Sequence, residues 1–201
     1  MIIENDIFIK CENNAEKQVI IPDGVIKIGD EAFEGCTSIT HVTLPASIEE
    51  IGDYAFKDCS NLEEIIIPAG VTEIGWGAFE GCTRLAHVAI PNSIKSIWED
   101  AFRGCTSLTK VSIPGSVIVI ERCAFLGCTE LTDVILSDGV DYIKWGAFED
   151  CINLTRITIP SSVQEIKRGA FERCKRLVIY APNGSYAEQY AKENNIAFVA
   201  E

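Results

Sequence analysis

The side chains best suited to chemistry in this chain recur at a fixed spacing of 23 residues. One such series contains His41, Glu64, His87, Lys110, Asp133 and Arg156. Two histidines beside a carboxylate are ligand types for a metal such as zinc, and paired carboxylates serve glycoside hydrolysis. Both kinds of site need side chains that converge on one point, whereas a constant spacing indicates a straight row. We therefore expect no metal, no cofactor and no catalytic activity from this series.

Seven of the nine cysteines also recur every 23 residues. These are Cys36, Cys59, Cys82, Cys105, Cys128, Cys151 and Cys174. Equivalent side chains in stacked coils point the same way, so seven thiols cannot all pair as disulfides. We expect reduced, buried thiols that behave as small hydrophobic side chains. Cys11 and Cys123 lie outside the series, so either could be the accessible thiol.

The common spacing comes from an internal repeat that is marked by the dipeptide Ala-Phe. It occurs seven times without an insertion, from Ala32-Phe33 to Ala170-Phe171, and a cysteine follows three residues after each Phe. A constant period between 20 and 50 residues indicates a solenoid, whose units bury their apolar faces only by stacking on one another. We expect function to reside on an extended surface rather than in a closed pocket.

Each repeat contains one strand pattern and one turn pattern. In the second repeat, Leu62, Ile65 and Ile67 predict a strand that is buried on one face, and Pro68 ends it. A further apolar pair precedes Ala-Phe, which we assign to a single helical turn. The residue before each cysteine is mostly Gly or Asp, which indicates left-handed backbone there. Stacking predicts an α/β repeat with a parallel sheet on one side and short helical turns on the other.

We divide the chain into an N-terminal cap, seven repeats and a C-terminal cap, at residues 1–21, 22–182 and 183–201. The segments Ile7-Phe8-Ile9 and Val19-Ile20-Ile21 flank a polar stretch, which predicts a β-hairpin as the first cap. Ser185 and Glu188 have capping-box spacing, which predicts a helix at the other end, followed by a short strand. Such caps cover the exposed ends of a solenoid.

The chain is strongly acidic. Thirty acidic against seventeen basic residues give a net charge of −13, so we expect no nucleic-acid partner. No apolar run is long enough to span a bilayer, and the first residues lack the basic and apolar regions of an export signal. We therefore expect no membrane insertion and a cytoplasmic location, or a cell-surface or secreted one if a signal has been trimmed from the sequence.

The repeat Leu-x-x-Val-x-Ile-Pro-x-Ser-Val-x-x-Ile-Gly-x-x-Ala-Phe-x-Gly-Cys resembles the BspA-type, or treponemal, leucine-rich repeat over about residues 19 to 182. The flanks Ile21-Pro22-Asp23-Gly24-Val25 and Gly184-Ser185-Tyr186-Ala187-Glu188 resemble that family too. The resemblance implies a leucine-rich-repeat solenoid with a concave parallel sheet, found in bacterial and some protist surface proteins that mediate adhesion and protein binding. It implies no catalytic residues. The departures are Ser137 in place of Pro, and Trp98, Glu121, Lys144 and Lys167 in place of Gly.

In such a solenoid, the series from His41 to Arg156 should point outward from the concave sheet. We interpret it either as a cross-strand charge ladder, worth about 0.2 to 1 kcal/mol per pair, or as a polar stripe that binds a partner. The neighbouring rows, such as those of Thr109 and Ser112, consist mostly of small side chains, which could let another backbone approach closely. The leading hypothesis is a non-catalytic module that binds a protein or peptide.

Three tryptophans on the convex side suggest an alternative function. Trp76, Trp98 and Trp145 could stack on sugars in a glycan-binding or host-surface adhesin module, or pack over the turn of a neighbouring coil. A structural spacer whose surface binds nothing specific stays open as a third interpretation.

Overall fold

The computed structural model describes residues 2–10 and 16–201, which stack as successive 23-residue coils. Each coil supplies a strand, a second short strand and a turn, and each element lies against its equivalent in the next coil. The stack forms because every repeat presents the same apolar set, which only a neighbouring coil can cover. Within the described residues, no helix has the length and hydrophobicity needed to cross a membrane.

The first strand of each coil builds a parallel sheet, here called the concave sheet. Its strands are β3 (Gln18–Ile20), β5 (His41–Thr43), β7 (Glu64–Ile65), β10 (Lys110–Ile113), β12 (Asp133–Leu136), β14 (Arg156–Thr158), β16 (Val178–Ala181) and β17 (Ala197–Ala200). Equivalent residues of successive repeats pair, as Val111 does with Val134. Hydrogen bonding runs through β3-β5-β7 and through β10-β12-β14-β16-β17, and His87 joins β7 by a single bridge to Glu64. The predicted parallel sheet is confirmed, but it has two segments.

A second row of strands lies alongside the concave sheet. It contains β4 (Lys27–Ile28), β6 (Glu50–Ile51), β8 (Glu73–Ile74), β9 (Ser96–Ile97), β11 (Val119–Ile120), β13 (Tyr142–Ile143) and β15 (Glu165–Ile166). These strands are parallel and also form two segments, β4-β6-β8 and β9-β11-β13-β15. The sequence indicated only an apolar pair here, because two residues are too few to display the alternation of a strand.

The Ala-Phe segments on the convex side form hydrogen-bonded turns, so the predicted helical turns are wrong in this detail. The residues before each Ala and before each Cys adopt positive φ in all seven repeats, for instance 54° at Gly77 and 70° at Gly81. Two left-handed residues four positions apart leave no room for a helix. Alternate turn residues instead donate their N–H to the next coil, as Phe79 does to the Ala101 carbonyl at 2.8 Å.

The phenylalanines of the repeats form a continuous spine through the stack. Rings in successive coils lie 4.8 to 5.5 Å apart between centroids and within 9° of parallel. The spine extends beyond the repeats, since Phe8 stacks on Phe33 at 4.6 Å and Tyr190 contacts Phe171 edge-on at 6.0 Å. The repeat fold therefore shares one apolar core with both caps.

The cysteine column lies behind the spine and is buried throughout. Within the described part of the chain no disulfide joins its members, and the predicted burial of these thiols is confirmed. From the second repeat onward, each thiol donates to the carbonyl of the Phe in the preceding coil, as Cys105 does to Phe79 at 3.2 Å. The column thus adds a hydrogen bond between coils besides its packing.

The N-terminal hairpin differs from the predicted one. It consists of β1 (Ile2–Glu4) and β2 (Ile7–Lys10), which pair antiparallel around Asn5 and Asp6, both at positive φ. β2 then pairs with β4 in the second row, whereas β3 pairs with β5 in the concave sheet. The predicted pairing of the Ile7 segment with the Val19 segment is therefore wrong, because the two segments belong to different rows.

At the other end, the predicted helix and strand are both present. α1 (Tyr186–Glu193) begins after Ser185, whose hydroxyl accepts a hydrogen bond from the Glu188 N–H at 3.3 Å. β17 follows and pairs in parallel with β16. The division of the chain at residues 21 and 182 stays a prediction.

The position after the second strand separates the coils into two groups. It is occupied by Gly29, Gly52 and Gly75 in the first three repeats and by Trp98, Glu121, Lys144 and Lys167 in the other four. A Cβ on Gly75 would lie 2.7 Å from the backbone N of Asp53, so the early coils approach too closely for a side chain. The second row is interrupted where the two groups meet, between β8 and β9, and the concave sheet is interrupted one coil later, between His87 and β10.

Candidate functional site

The structure aligns the outward-facing series of the concave sheet, here called the charged row: His41, Glu64, His87, Lys110, Asp133 and Arg156. Four members are exposed, while His41 and Asp133 are half-buried. The register pairs His41 with Glu64 and Asp133 with both Lys110 and Arg156, and Glu64 is bridged to His87. The interruption of the sheet falls between His87 and Lys110, so the row is brought together as two groups of three.

The charge ladder expected along this row does not form ion pairs. Among the described residues, no two members of the charged row approach within ion-pair distance, and Arg156 instead binds Glu201 at 2.8 Å. The Arg156 guanidinium also lies 4.2 Å from the centre of the Tyr180 ring. Glu201 and Tyr180, which lie beyond Arg156 in the stack, thus engage the guanidinium in place of Asp133.

Asp133 carries the most unusual polar atom of the row. Its Oδ1 is buried and accepts no hydrogen bond within the described chain. A buried carboxylate oxygen without a donor is unfavourable by about 1 to 3 kcal/mol.

A row that is partly apolar runs beside the charged row on the same face. This isoleucine row is defined by Ile20, Ile66 and Ile135, whose exposed fractions are 71%, 73% and 45%. The full row also contains Thr43, Ala89, Ser112 and Thr158, so it is mostly small, as the sequence indicated, but the strong exposure of its isoleucines was not predicted. The signal was an isoleucine at an outward-facing strand position that other repeats fill with Thr, Ser or Ala.

The threonine row on the other flank is occupied by contacts within the fold. The hydroxyls of Thr40, Thr132 and Thr155 each donate to a carbonyl of the preceding coil at 3.0 to 3.1 Å. These residues bind one coil to the next, so we do not count them as part of a binding surface.

The three tryptophans do not form one patch. Trp76 is 51% exposed and contacts the half-buried Trp98 edge-on, with ring centroids 6.5 Å apart. Trp145 is equally exposed but lies apart, in a shallow cleft with Arg122, Cys123 and Glu149. The predicted aromatic patch therefore reduces to a Trp76–Trp98 pair.

The thiols are poor nucleophiles in this structure. Burial raises the pKa of Cys105 well above its ordinary value, and that of Cys174 to about 12. Cys123 is half-buried, and its pKa is also raised, first by burial and then by the nearby Asp100 carboxylate. A raised pKa lowers the thiolate fraction at neutral pH, so Cys123 is accessible but weakly reactive. Cys11 lies outside the described residues.

The described residues contain no group of three His, Cys, Asp or Glu side chains placed to hold a metal ion. His41 uses its Nδ1 in a 2.9 Å hydrogen bond with the Thr40 hydroxyl. The geometry of the concave sheet is thus that of a broad, exposed surface, with side chains available for contacts along its length.

Stacked parallel strands, an inward apolar set and an exposed strand face define the class of leucine-rich-repeat solenoids. The sequence model of the BspA type leucine rich repeat region, in six copies, matches residues 1–117 and 49–178. The chain belongs to this family.

Solved structures agree with this assignment. A leucine-rich repeat protein from Treponema pallidum is 32% identical with a TM-score of 0.79, and the match covers 97% of this chain and 91% of that one. A leucine-rich repeat protein from Bacteroides ovatus is 34% identical with a TM-score of 0.77, over 82% of this chain and 47% of that one. The chain therefore spans about half the length of the B. ovatus protein. No curated protein matches it.

Proposed function

We propose that the chain is a non-catalytic binding module that recognises a protein or peptide on its concave sheet. Membership of a repeat family supports a module of this kind. The observation that carries the proposal is the juxtaposition of two exposed rows, with Ile66 at 73% exposure directly beside the strand residue Glu64. In protein interfaces the apolar side chains that a partner buries are surrounded by a polar rim, and Ile66 beside Glu64 fits that arrangement.

The two rows have complementary roles in this proposal. Burying an exposed isoleucine under a partner contributes about 1.5 to 3 kcal/mol, which supplies affinity. The charged row supplies orientation, because Glu64 lies between two histidines while Asp133 lies between two cations. A partner would have to match both the positions of the exposed isoleucines and this order of charges.

The test is a charge reversal on the concave sheet. A peptide is first selected from a random display library on the full chain, and its affinity is then measured for Glu64→Lys/Asp133→Lys. We expect about tenfold or greater weakening, because the reversed charges oppose contacts that the selected peptide makes.

The matched control is Glu73→Lys/Glu130→Lys, which changes net charge equally at exposed positions outside the charged row. It should change the affinity by no more than about twofold. Thermal unfolding of both variants verifies that the fold is retained. Equal weakening by both variants, or by neither, would show that the peptide binds elsewhere.

A glycan-binding or adhesin function is the second candidate, and the half-exposed Trp76 beside Trp98 favours it. Stacking on a sugar ring needs an exposed aromatic face, which Trp76 offers. On a glycan array, Trp76→Ala should abolish any binding, whereas Trp145→Ala, at an equally exposed but separate ring, should retain it. An array on which the unmodified chain binds no glycan contradicts this candidate.

A further inference from the structure

The C-terminal end of the stack contains a cleft that the proposed function does not use. This end cleft has a volume of about 640 Å³ and lies between residues 168–178 of the last coil and residues 190–197 around the end of α1. Arg168, Arg173, Lys175 and Arg176 line one side, and Asn194 and Asn195 line the other. It lies at the end of the solenoid, and its lining residue Val178 pairs with Arg156, the last member of the charged row.

The end cleft is basic within an acidic protein. Residues 167–176 contain five basic side chains and one acidic one, although acidic residues prevail in the chain as a whole. Arg173 is neutralised by Asp150, with nitrogen-to-oxygen distances of 2.9 and 3.1 Å. The exposed side chains of Arg168, Lys175 and Arg176, by contrast, have no ion pair or hydrogen bond to any described residue. Three cations are thus available at one place.

The backbone of the last coil also presents donors without acceptors. Along the convex turns, each coil donates alternate N–H groups to the next, as Phe148 does to Ala170 at 2.8 Å and Asp150 to Glu172 at 3.0 Å. Phe171 and Arg173 end these two rows, because α1 and β17 follow the last coil in place of another repeat. Their N–H groups have no acceptor within residues 2–10 and 16–201, and both residues line the end cleft. Unpaired backbone donors at a protected site favour a ligand with acceptor oxygens.

We propose that the end cleft binds an acidic peptide segment. The backbone carbonyls of the peptide accept hydrogen bonds from the N–H groups of Phe171 and Arg173. The carboxylates of the peptide bind Arg168, Lys175 and Arg176. A peptide fits because the two N–H donors, of Phe171 and Arg173, are two residues apart in the chain. In the preceding coil, the equivalent donors bind the carbonyls of Ala170 and Glu172, which are also two residues apart. The cations then require acidic side chains on that peptide.

A second copy of the chain is a poorer occupant. Stacking the first coil of one copy on the last coil of another would require bare phenylalanine rings at both ends. Phe8 covers Phe33 at 4.6 Å, and Tyr190 covers Phe171 at 6.0 Å. A narrow peptide can enter beside Tyr190, whereas a whole coil cannot continue the spine.

The experiment uses two fluorescent hexapeptides, all-glutamate and all-glutamine, and measures anisotropy with the full chain. We expect the glutamate peptide to bind and the glutamine peptide not to bind. Arg168→Ala/Arg176→Ala should weaken binding about tenfold or more, while Arg84→Ala/Lys95→Ala, with the same change of net charge away from the cleft, should stay within about twofold. Equal weakening by both double variants would overturn the proposal, because it would show that binding depends only on the net charge of the protein.

Two further readouts distinguish a peptide from other anions. On titration with the glutamate peptide, the ¹⁵N–¹H signals of Phe171 and Arg173 should shift, and they should move less in Arg168→Ala/Arg176→Ala. Unchanged signals at these two amides during saturable binding would overturn the backbone contact. Heparin is tested as an alternative ligand. If heparin binds and the glutamate peptide does not, the cleft is a site for sulfated glycans instead. None of these results depends on the concave sheet.

Discussion

Phe102→Ala should lower the free energy of unfolding by about 3 to 5 kcal/mol. Phe102 is fully buried, and its ring lies 5.3 Å from that of Phe79 and 5.2 Å from that of Phe125. The cavity left by the substitution could not collapse easily, because hydrogen bonds fix the backbone of this coil to both neighbours. Urea unfolding followed by circular dichroism measures the loss.

The comparison that makes this prediction specific is Phe171→Ala at the end of the spine. Phe171 is 5% exposed and has a parallel ring on one side only, with Tyr190 edge-on at the other. We expect a smaller loss there, because a solenoid couples each repeat only to its neighbours. Trp145→Ala, at an exposed ring, should alter stability by less than about 0.5 kcal/mol. Equal losses at Phe102 and Phe171 would contradict a stack stabilised by nearest neighbours.

Gly75→Ala is expected to have the next largest effect, a loss of about 1 to 3 kcal/mol. A Cβ at this position would lie 2.7 Å from the Asp53 nitrogen and 2.7 Å from the Gly52 carbonyl carbon, so the coils would have to separate. Both contacts are with backbone, which cannot rotate away as a side chain would. Urea unfolding again gives the free energy difference.

The matched control for Gly75→Ala is Glu121→Ala at the equivalent position of the fifth repeat. That coil already accommodates a side chain, so the change should be close to neutral. A similar loss at both positions would mean that close approach is not the reason for glycine in the first three repeats.

The stack itself could be predicted because the repeat has no insertion. An uninterrupted period of 23 residues places equivalent side chains opposite each other, which predicts the parallel register, the phenylalanine spine and the cysteine column. The left-handed residues before each cysteine were also predictable, and even Arg173 adopts positive φ at 66°. Each of these features depends on local sequence and on the identity of neighbouring coils alone.

Other parts of the fold could not be predicted from the repeat period. The second row escaped prediction because strands such as β8 have only two residues. The N-terminal hairpin was assigned to the wrong segments, since apolar triplets indicate strands but not which strand they pair with. The second row is interrupted at the change from Gly75 to Trp98, and the concave sheet is interrupted one coil later. The change of residue is visible in the sequence, but these interruptions were not predicted from it.

The candidate binding surfaces were also only partly predictable from the sequence. Membership of the charged row follows from the period, but its ion pairs do not, because Arg156 binds Glu201 from beyond the repeats. The exposure of Ile66 and Ile135 depends on which strand face stays uncovered. The end cleft was missed because it arises where the repeats stop, and a period describes only what recurs.

Hydrogen exchange of the chain with and without a library-selected peptide tests the binding proposal most directly. We predict protection concentrated on the concave sheet, at residues 64–66 and 133–136, with little change in the convex turns. Protection confined to the turns around Trp76, or to the last coil, would contradict the concave sheet as the principal binding surface.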